Sequence, residues 1–515
     1  MTLPEETSKL AYTPAEDIPQ IVDAVRDGWN SGKLRPIAYR KEQLLHLGYM
    51  IQDNTERFRA ALAHDLGRPM GEADFLELNL IILQATAAYD NVEKWAKPEY
   101  APFDIYFGAM RPRVIKEPKG VALIIGPFNY PVFCNLRPMI GAIAAGCAVV
   151  LKPSEQSSAV AALYAELFPR YLDPDLFRIV NGGIPETTKL LELQWDHILY
   201  TGSGTVGKIV ATAAAKNLTP VTLELGGKSP VVIDPNMDLK LAARRLLWGK
   251  AINAGQTCVA PDYILCPAEV QDKLVAAFRE AYESFYPYPG DSRKDVCKII
   301  SDRQFARLKG ILTNTKGTLV VGGGSDEAKR WIEPTVLRDV AEDDIIMQSE
   351  IFGPILPIIP TTGVDHAIRF INARDRPLSL YIMSKDEAFK ATVAGSTVSG
   401  SVAINDSVIQ VAVENVPFGG VGPSGSGAYG GKAGFDTFTH QRSYIDVPTW
   451  ADLILGTRFP PYTDKRQKAL AGITAQKMPY PRPGAVVGWF GRWRKRRILE
   501  LVFAVIAAIR ASYRA

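Results

Sequence analysis

Gly255-Gln256-Thr257-Cys258-Val259-Ala260 places one thiol among small and polar residues. A free cysteine commonly serves as a small buried hydrophobe. Yet Gly255 permits a tight turn or a close backbone approach, and Gln256 and Thr257 are poor core residues. A thiol that is partly exposed and lowered in pKa becomes a nucleophile, so this stretch is also a candidate reactive site. Four other stretches carry groups able to work with it. Pro127-Phe128-Asn129-Tyr130-Pro131 offers an amide. Lys152-Pro153-Ser154-Glu155 offers a cation and a carboxylate. Glu224-Leu225-Gly226-Gly227-Lys228-Ser229-Pro230 and Glu350-Ile351-Phe352-Gly353-Pro354 each set a carboxylate beside glycine. A further stretch, Gly202-Ser203-Gly204-Thr205-Val206-Gly207, matches the dinucleotide fingerprint G-x-G-x-x-G, and Glu224 follows Gly207 near the spacing of its ribose-binding acid.

The elements that must position these groups are legible in the hydropathy pattern. Residues from about Pro14 to Lys97 read as helices, with Ile18, Val22 and Val25, then Leu44, Leu47 and Ile51, then Phe75, Leu78 and Ile81 as packing faces. From Val121 onward apolar runs alternate with helices. Strands are expected at Val121–Ile125, Ala148–Leu151, Phe177–Val180 and His197–Tyr200, and the fingerprint falls on the fourth of them, not the first. A second alternating set starts at Val221, and a helix from Leu239 to Ala254 leads into Cys258. Such alternation marks parallel, doubly wound sheets, whose ligands sit beyond the carboxyl ends of the strands. All the candidate loops are therefore expected at one such edge.

The bulk composition bounds the rest. At 515 residues, 47% hydrophobic and 22% charged, the chain is a folded protein of two or three domains. Five cysteines without a CxxC pair and five scattered histidines exclude a disulfide framework and predict no metal site. They fit a reducing compartment. The net charge of +4 comes from the tail: from Arg482 onward eight Lys or Arg face Glu500 alone, which leaves the body at about −3. No nucleic-acid partner is expected.

These motifs, in this order from about Ile18 to Tyr444, resemble those of the aldehyde dehydrogenase superfamily. Gly425-Ser426-Gly427-Ala428-Tyr429-Gly430-Gly431-Lys432 and Phe435-Asp436-Thr437-Phe438-Thr439-His440 resemble its class 3 branch, which includes the fatty aldehyde dehydrogenases. The resemblance implies that Cys258 attacks an aldehyde carbonyl, that Asn129 and the Cys258 N–H hold the oxyanion, and that Glu224 activates the water that hydrolyses the thioester. It implies NAD, with NADP as the alternative. Lys152 and Glu155 would lie at the adenosine ribose, Gly202, Ser203 and Gly207 at the pyrophosphate, and Glu350 and Phe352 at the nicotinamide ribose. Lys228 has two readings, a loop-orienting cation or a surface lysine. Gly430 stands where class 3 sequences often have histidine.

The expected fold is α/β: an NAD-binding domain (1–98 and 119–224), a catalytic domain (225–420), a small β oligomerisation element (99–118 and 421–450) and a C-terminal tail (451–515). The expected reaction is NAD-dependent oxidation of medium- to long-chain aldehydes to carboxylic acids. A cofactor-independent thiol esterase and a non-catalytic membrane scaffold are the rivals. The resemblance also implies a homodimer. In the tail, Trp489 precedes and Trp493 interrupts a basic cluster, Arg492 to Arg497, followed by only nine apolar residues, Leu501 to Ile509. A spanning helix needs about 20. An interfacial anchor over 486–515, on the cytoplasmic face of an intracellular membrane, is the expectation, against a helix packed on the protein.

Overall fold

The structure, a computed structural model, describes residues 10–104, 107–287 and 292–475, together with 478, 480, 482 and 483. Ile105 and the tail segment 486–515 lie outside the described residues. Among the described residues no helix is long and apolar enough to cross a membrane.

The described residues of 1–99 and 114–443 form one compact unit. Its first sheet runs in space as Gly425–Ser426, Val221–Leu225, His197–Gly202, Val121–Ile125, Ala148–Lys152, Phe177–Ile179. All neighbours are parallel except Gly425–Ser426, which is antiparallel to Val221–Leu225. In chain order the five parallel strands lie 3-2-1-4-5, the order of a dinucleotide-binding half. The direction of winding reverses between Val121–Ile125 and His197–Gly202. The Asn129 and Ser203 loops therefore open on the two sides of the crevice where such sheets bind ligands. This is why a fingerprint on the fourth strand still falls at a ligand site.

The second sheet has seven strands: Thr318–Val321, Thr335–Arg338, Ile355–Thr361, Tyr263–Pro267, Pro230–Ile233, Ser379–Met383 and Ser401–Ile404. Only the first pair is antiparallel. Its central strands, such as Pro230–Ile233, Tyr263–Pro267 and Ser379–Met383, are buried on both faces, and the edge strands Thr318–Val321 and Ser401–Ile404 are partly exposed. Each sheet has its own core. The N-terminal helices join the first, through Val25, Leu47, Phe58 and Ile81.

Residues 421–450, expected as an oligomerisation element, are divided differently. Gly425–Ser426 completes the first sheet, and Phe435 and Phe438 are buried in its core. Gly425, at φ 139°, lies so close to the neighbouring strand that a Cβ would stand 2.1 Å from the Leu223 carbonyl oxygen. Only Thr439–Tyr444 enters the small third sheet, with Glu99–Tyr100 and Arg113–Pro118, where Arg442 pairs with Glu117 at 2.7 Å. The second unit comprises the described residues of 100–113 and 444–483. Within it the Asp446 N–H donates to the Met110 carbonyl, Arg113 stacks on Tyr444, and Thr463 caps the helix Asp464–Thr474.

Candidate active site

Cys258 does not sit at the carboxyl edge of its own sheet. It precedes the strand Tyr263–Pro267, and Glu350 precedes Ile355–Thr361, so both belong to the amino ends of the second sheet. Asn129, Lys152, Ser203 and Glu224 belong to the carboxyl ends of the first. The site forms where these unlike edges meet, not at one shared edge.

The helix expected to reach Ala254 ends at Ala251. Asn253, Ala254 and Gly255 then take left-handed φ values of 49°, 51° and 67°. For alanine this conformation costs about 1–2 kcal/mol. Buried polar groups hold it there. Glu72 accepts from the Asn253 N–H at 3.0 Å, and the Asn253 amide donates to the Asn129 and Gln256 carbonyls at 2.9 Å each. The Gln256 amide donates to the Asn253 and Lys298 carbonyls and accepts from the Ile300 N–H. Gly255 is required by contact as well as by φ: a Cβ there would lie 2.2 Å from the Gly353 carbonyl oxygen. The nucleophile loop is thus locked to the turn after Glu350.

Asn129 is buried, and its side-chain amide donates to the Gln256 carbonyl at 3.0 Å, two residues before the thiol. Its own carbonyl accepts from Arg68 at 2.6 Å. Arg68 is paired with buried Glu77, whose carboxylate also accepts the Val132 and Phe133 N–H groups. This buried ion pair fixes the amide against the cysteine loop.

Cys258 and Glu224 line the same cavity, with about 730 Å³ of empty space counted out into the solvent at its opening. Glu224, the penultimate residue of its strand, is 3% exposed, and neither carboxylate oxygen has a hydrogen-bond partner among the described residues. Burial raises its pKa well above the usual carboxylate range, and the Arg137 charge opposes that rise. Burial and the nearby Glu350 and Glu224 charges push the Cys258 thiol up to about 12, against the local Cys258 and Val259 N–H groups. A protonated thiol beside an unpartnered carboxylate is a nucleophile with its base at hand. The placement of Glu224 in this cavity excludes the alternative of a ribose-binding acid. The other walls are apolar: Phe75, Leu76, Leu80, Trp248, Val411 and Phe418 among them. Phe75, expected in a packing face, is 53% exposed and lines the solvent side of the cavity instead.

Lys152, Glu155, Gly202, Ser203 and Gly207 sit along the rest of the first sheet's edge, and Glu350 and Phe352 on the second sheet's loop. Lys152 bonds Glu155 at 3.1 Å. Ser203 caps the helix Gly204–Lys216, whose amino end is suited to phosphate. Gly207 lets that helix approach its strand, since a Cβ would stand 2.7 Å from the Leu225 side chain. Gly202 likewise faces the Tyr200 hydroxyl. Glu350 packs on Gly226, where a Cβ would meet its carboxylate at 2.2 Å, and burial together with the nearby Asp262 charge raises its pKa to about 8. Phe352, at φ 47°, meets Phe128 edge-on at 6.0 Å. Lys228 is not a free surface lysine. It bonds Asp262 at 2.5 Å and the carbonyls of Ile346 and Ser349, and Asp262 accepts the Ile351 N–H. It therefore orients the Glu350 loop.

Sequence reading missed Arg68, Glu77 and Arg137. Arg137 leaves a signal, a lone charge within the otherwise uncharged helix Phe133–Ala145. Arg68 and Glu77 lie on the amphipathic N-terminal segments and leave none.

Residues 4–444 match the aldehyde dehydrogenase family. A rat dimeric NADP-preferring aldehyde dehydrogenase is 44% identical over 451 residues, covering 86% of this chain and 98% of its own. Mouse aldehyde dehydrogenase family 3 member A2 is 46% identical over 442 residues, covering 86% and 91%. The substrate-bound AldH of Staphylococcus aureus superposes with a TM-score of 0.85 at 41% identity, over 89% of this chain and 99% of that one. An NAD+ complex of a Mycobacterium tuberculosis aldehyde dehydrogenase superposes with a TM-score of 0.76 at 29% identity, over 85% and 92%. With this match running across both sheets and every loop of the site, the chain belongs to the aldehyde dehydrogenase family and is an enzyme that oxidises aldehydes.

Proposed function

We propose that the chain oxidises medium- to long-chain aliphatic aldehydes to carboxylic acids, with NAD as electron acceptor and Cys258 as the covalent nucleophile. The observation that carries the reading is the apolar cavity lined by Phe75 together with Cys258 and Glu224. Such a wall rewards each buried methylene by about 0.8 kcal/mol and offers a polar substrate nothing.

Glu224 takes the thiol proton as Cys258 Sγ bonds to the carbonyl carbon. The thiol's raised pKa makes this transfer necessary, and the unpartnered Glu224 carboxylate makes it available. The oxyanion of the thiohemiacetal is held by the Asn129 amide and the Cys258 N–H. A nicotinamide held at this site would supply the hydride acceptor, and loss of the hydride leaves a thioester on Cys258. Glu224, having passed the thiol proton to solvent, then removes a proton from water as that water attacks the thioester carbon, and the acid leaves as this second proton passes to Sγ.

The residues present fit the dinucleotide. The Gly204 helix end and Ser203 suit its pyrophosphate, and Glu350 beside Gly226 and Gly227 suits a ribose. Glu155, held by Lys152, disfavours a 2′-phosphate, which supports NAD over the NADP named for the rat relative. Nucleotide specificity is tested by comparing NAD and NADP turnover in wild type and Glu155→Gln. The Gln variant is expected to narrow the gap.

The reaction is tested by NADH formation with hexanal to hexadecanal. Cys258→Ala is expected to abolish it, and Glu224→Gln to abolish it as well, with Cys258 left unacylated by mass spectrometry. Ester hydrolysis without any redox turnover would select the esterase instead. The reading includes a homodimer through Thr439–Tyr444, whose last five residues are exposed, and interfacial anchoring through 486–515. Sedimentation tests the first. Flotation with anionic vesicles, with and without residues 486–515, tests the second.

A further inference from the structure

Arg137 is a cation in an unusual place. It lies on the helix Phe133–Ala145 and is 2% exposed, and its Nε and Nη1 have no hydrogen-bond partner among the described residues. Its guanidinium stacks against Phe133 and Tyr429 at 5.0 Å each and Phe418 at 5.8 Å. All three rings line the cavity that holds Cys258 and Glu224. The room for it exists because residue 430 is glycine. At φ 99° the backbone favours glycine, and a Cβ there would stand 2.3 Å from the guanidinium.

A buried guanidinium without a close carboxylate is costly. Cation–π contact offsets part of that cost, and the rest must come from charges farther away. The groups that face Arg137 are Tyr429, Cys134, Glu224 and Glu414. Of these only the two glutamates titrate as carboxylates. Glu414 lies across a second small cavity, which Arg137 also lines. Glu224 in turn faces Arg137, Cys134, Cys258 and Tyr429, of which Arg137 alone is positive. Arg137 is therefore the one cation that faces the proposed base, Glu224 is one of the two carboxylates that face Arg137, and the rings stacked on the guanidinium line the cavity that holds Glu224.

We propose that Arg137 is a positioning residue for Glu224: a cation held behind the Phe133–Tyr429–Phe418 wall, against whose charge Glu224 works as the base. This inference rests on the proposed role of Glu224. It makes Arg137 act through another residue, without touching substrate. It also explains the pairing of Arg137 with Gly430, since any side chain at 430 would expel the guanidinium.

The experiment is the pH profile of kcat for a short aldehyde in Arg137→Met, Arg137→Gln and Arg137→Lys, using the full chain with saturating NAD. Loss of the cation is expected to move the acid limb about 0.5–1 pH unit toward alkaline pH. Lys is expected to bring it back and Met is not, although Met keeps the apolar packing. A structural role would be rescued by shape and would leave the limb in place. An unmoved limb in folded Met and Gln variants overturns the proposal. If neither folds, Glu414→Gln decides, because it leaves Glu224 as the one carboxylate facing the cation. A shift toward acid supports the proposal, and an unchanged or alkaline limb overturns it. Glu224→Gln is run beside them. Full turnover in that variant refutes the base role itself. Its loss together with an unmoved Arg137→Met limb refutes this inference alone.

Discussion

Phe75→Ser isolates the binding of the alkyl chain from the chemistry. Phe75 lines the cavity that holds Cys258, and it is 53% exposed, which places it on the solvent side of that wall. A phenyl ring exposed to that degree leaves roughly 100 Å² for a substrate to cover, or about 2.5 kcal/mol at ~25 cal/mol/Å². A flexible alkyl chain covers one face of the ring, which brings the expected loss to about 1–1.5 kcal/mol. The matching fall in kcat/KM is about 5- to 13-fold. It should appear only for aldehydes long enough to reach the ring. The assay is initial NADH production across straight-chain aldehydes from propanal to hexadecanal. The expected profile is unchanged for propanal, with the deficit growing to a plateau at long chain, carried in KM with kcat kept. An equal loss at every length would mean that Phe75 supports the fold or the loops. No loss at any length would mean that the chain leaves the site by another path. Either result refutes the assignment of this wall to the substrate.

Three further outcomes follow from the same geometry. Asn129→Ala is expected to lower kcat 10²- to 10³-fold, with NAD binding by fluorescence titration unchanged, because an oxyanion donor acts only in the transition state. Glu224 must be ionised to work, and its pKa is raised. Its contribution should therefore be lost as pH falls through a limb lying above the ordinary carboxylate range near 4.3, which a pH series of kcat measures. Gly255→Ala would force a Cβ to 2.2 Å from the Gly353 carbonyl at φ 67°. Displacement of the thiol by even about 1 Å should cost on the order of 10²-fold in single-turnover acylation.

How much of this was legible in the sequence depends on range. Most strands of both sheets were readable because each is a short apolar run between helices, as in Val121–Ile125 and Ile355–Thr361, whereas Thr335–Arg338 and Ser379–Met383 went unread. The roles of Cys258, Asn129 and Glu224 were legible only as a set, through the order of their motifs. The helix end at Ala251 was not legible. Three left-handed residues in a row have no local cause in Asn253-Ala254-Gly255; they are imposed by Glu72, by Asn129 and by the Gly353 turn, all distant in the chain. Phe75 was misread because helical periodicity reports that a face is covered, without saying whether core or substrate covers it. Gly425–Ser426 was unreadable because a two-residue strand has no period.

The meeting of unlike sheet edges explains why strain collects beside the nucleophile. The carboxyl ends of the first sheet bring groups already formed on strand ends, such as Asn129 and Glu224. The second sheet must then present its thiol at amino ends, against the usual direction of such sites, so its loops have to turn back on themselves. Ala254 at φ 51° and Phe352 at φ 47° are left-handed residues of types that resist that conformation, on the two loops that touch through Gly255 and Gly353. Together they cost on the order of 2–6 kcal/mol. That cost is met by buried polar contacts that do no chemistry: Glu72 on Asn253, Arg68 and Glu77 on the Asn129 loop, Lys228 and Asp262 on the Glu350 loop. These contacts reach the site from three separate elements. Loss of any one should therefore loosen the geometry of the thiol before it unfolds the protein, so that activity fails at lower denaturant than the sheet signal. A coincident loss of activity and structure in Glu72→Gln would show that the strain is held by the cores instead.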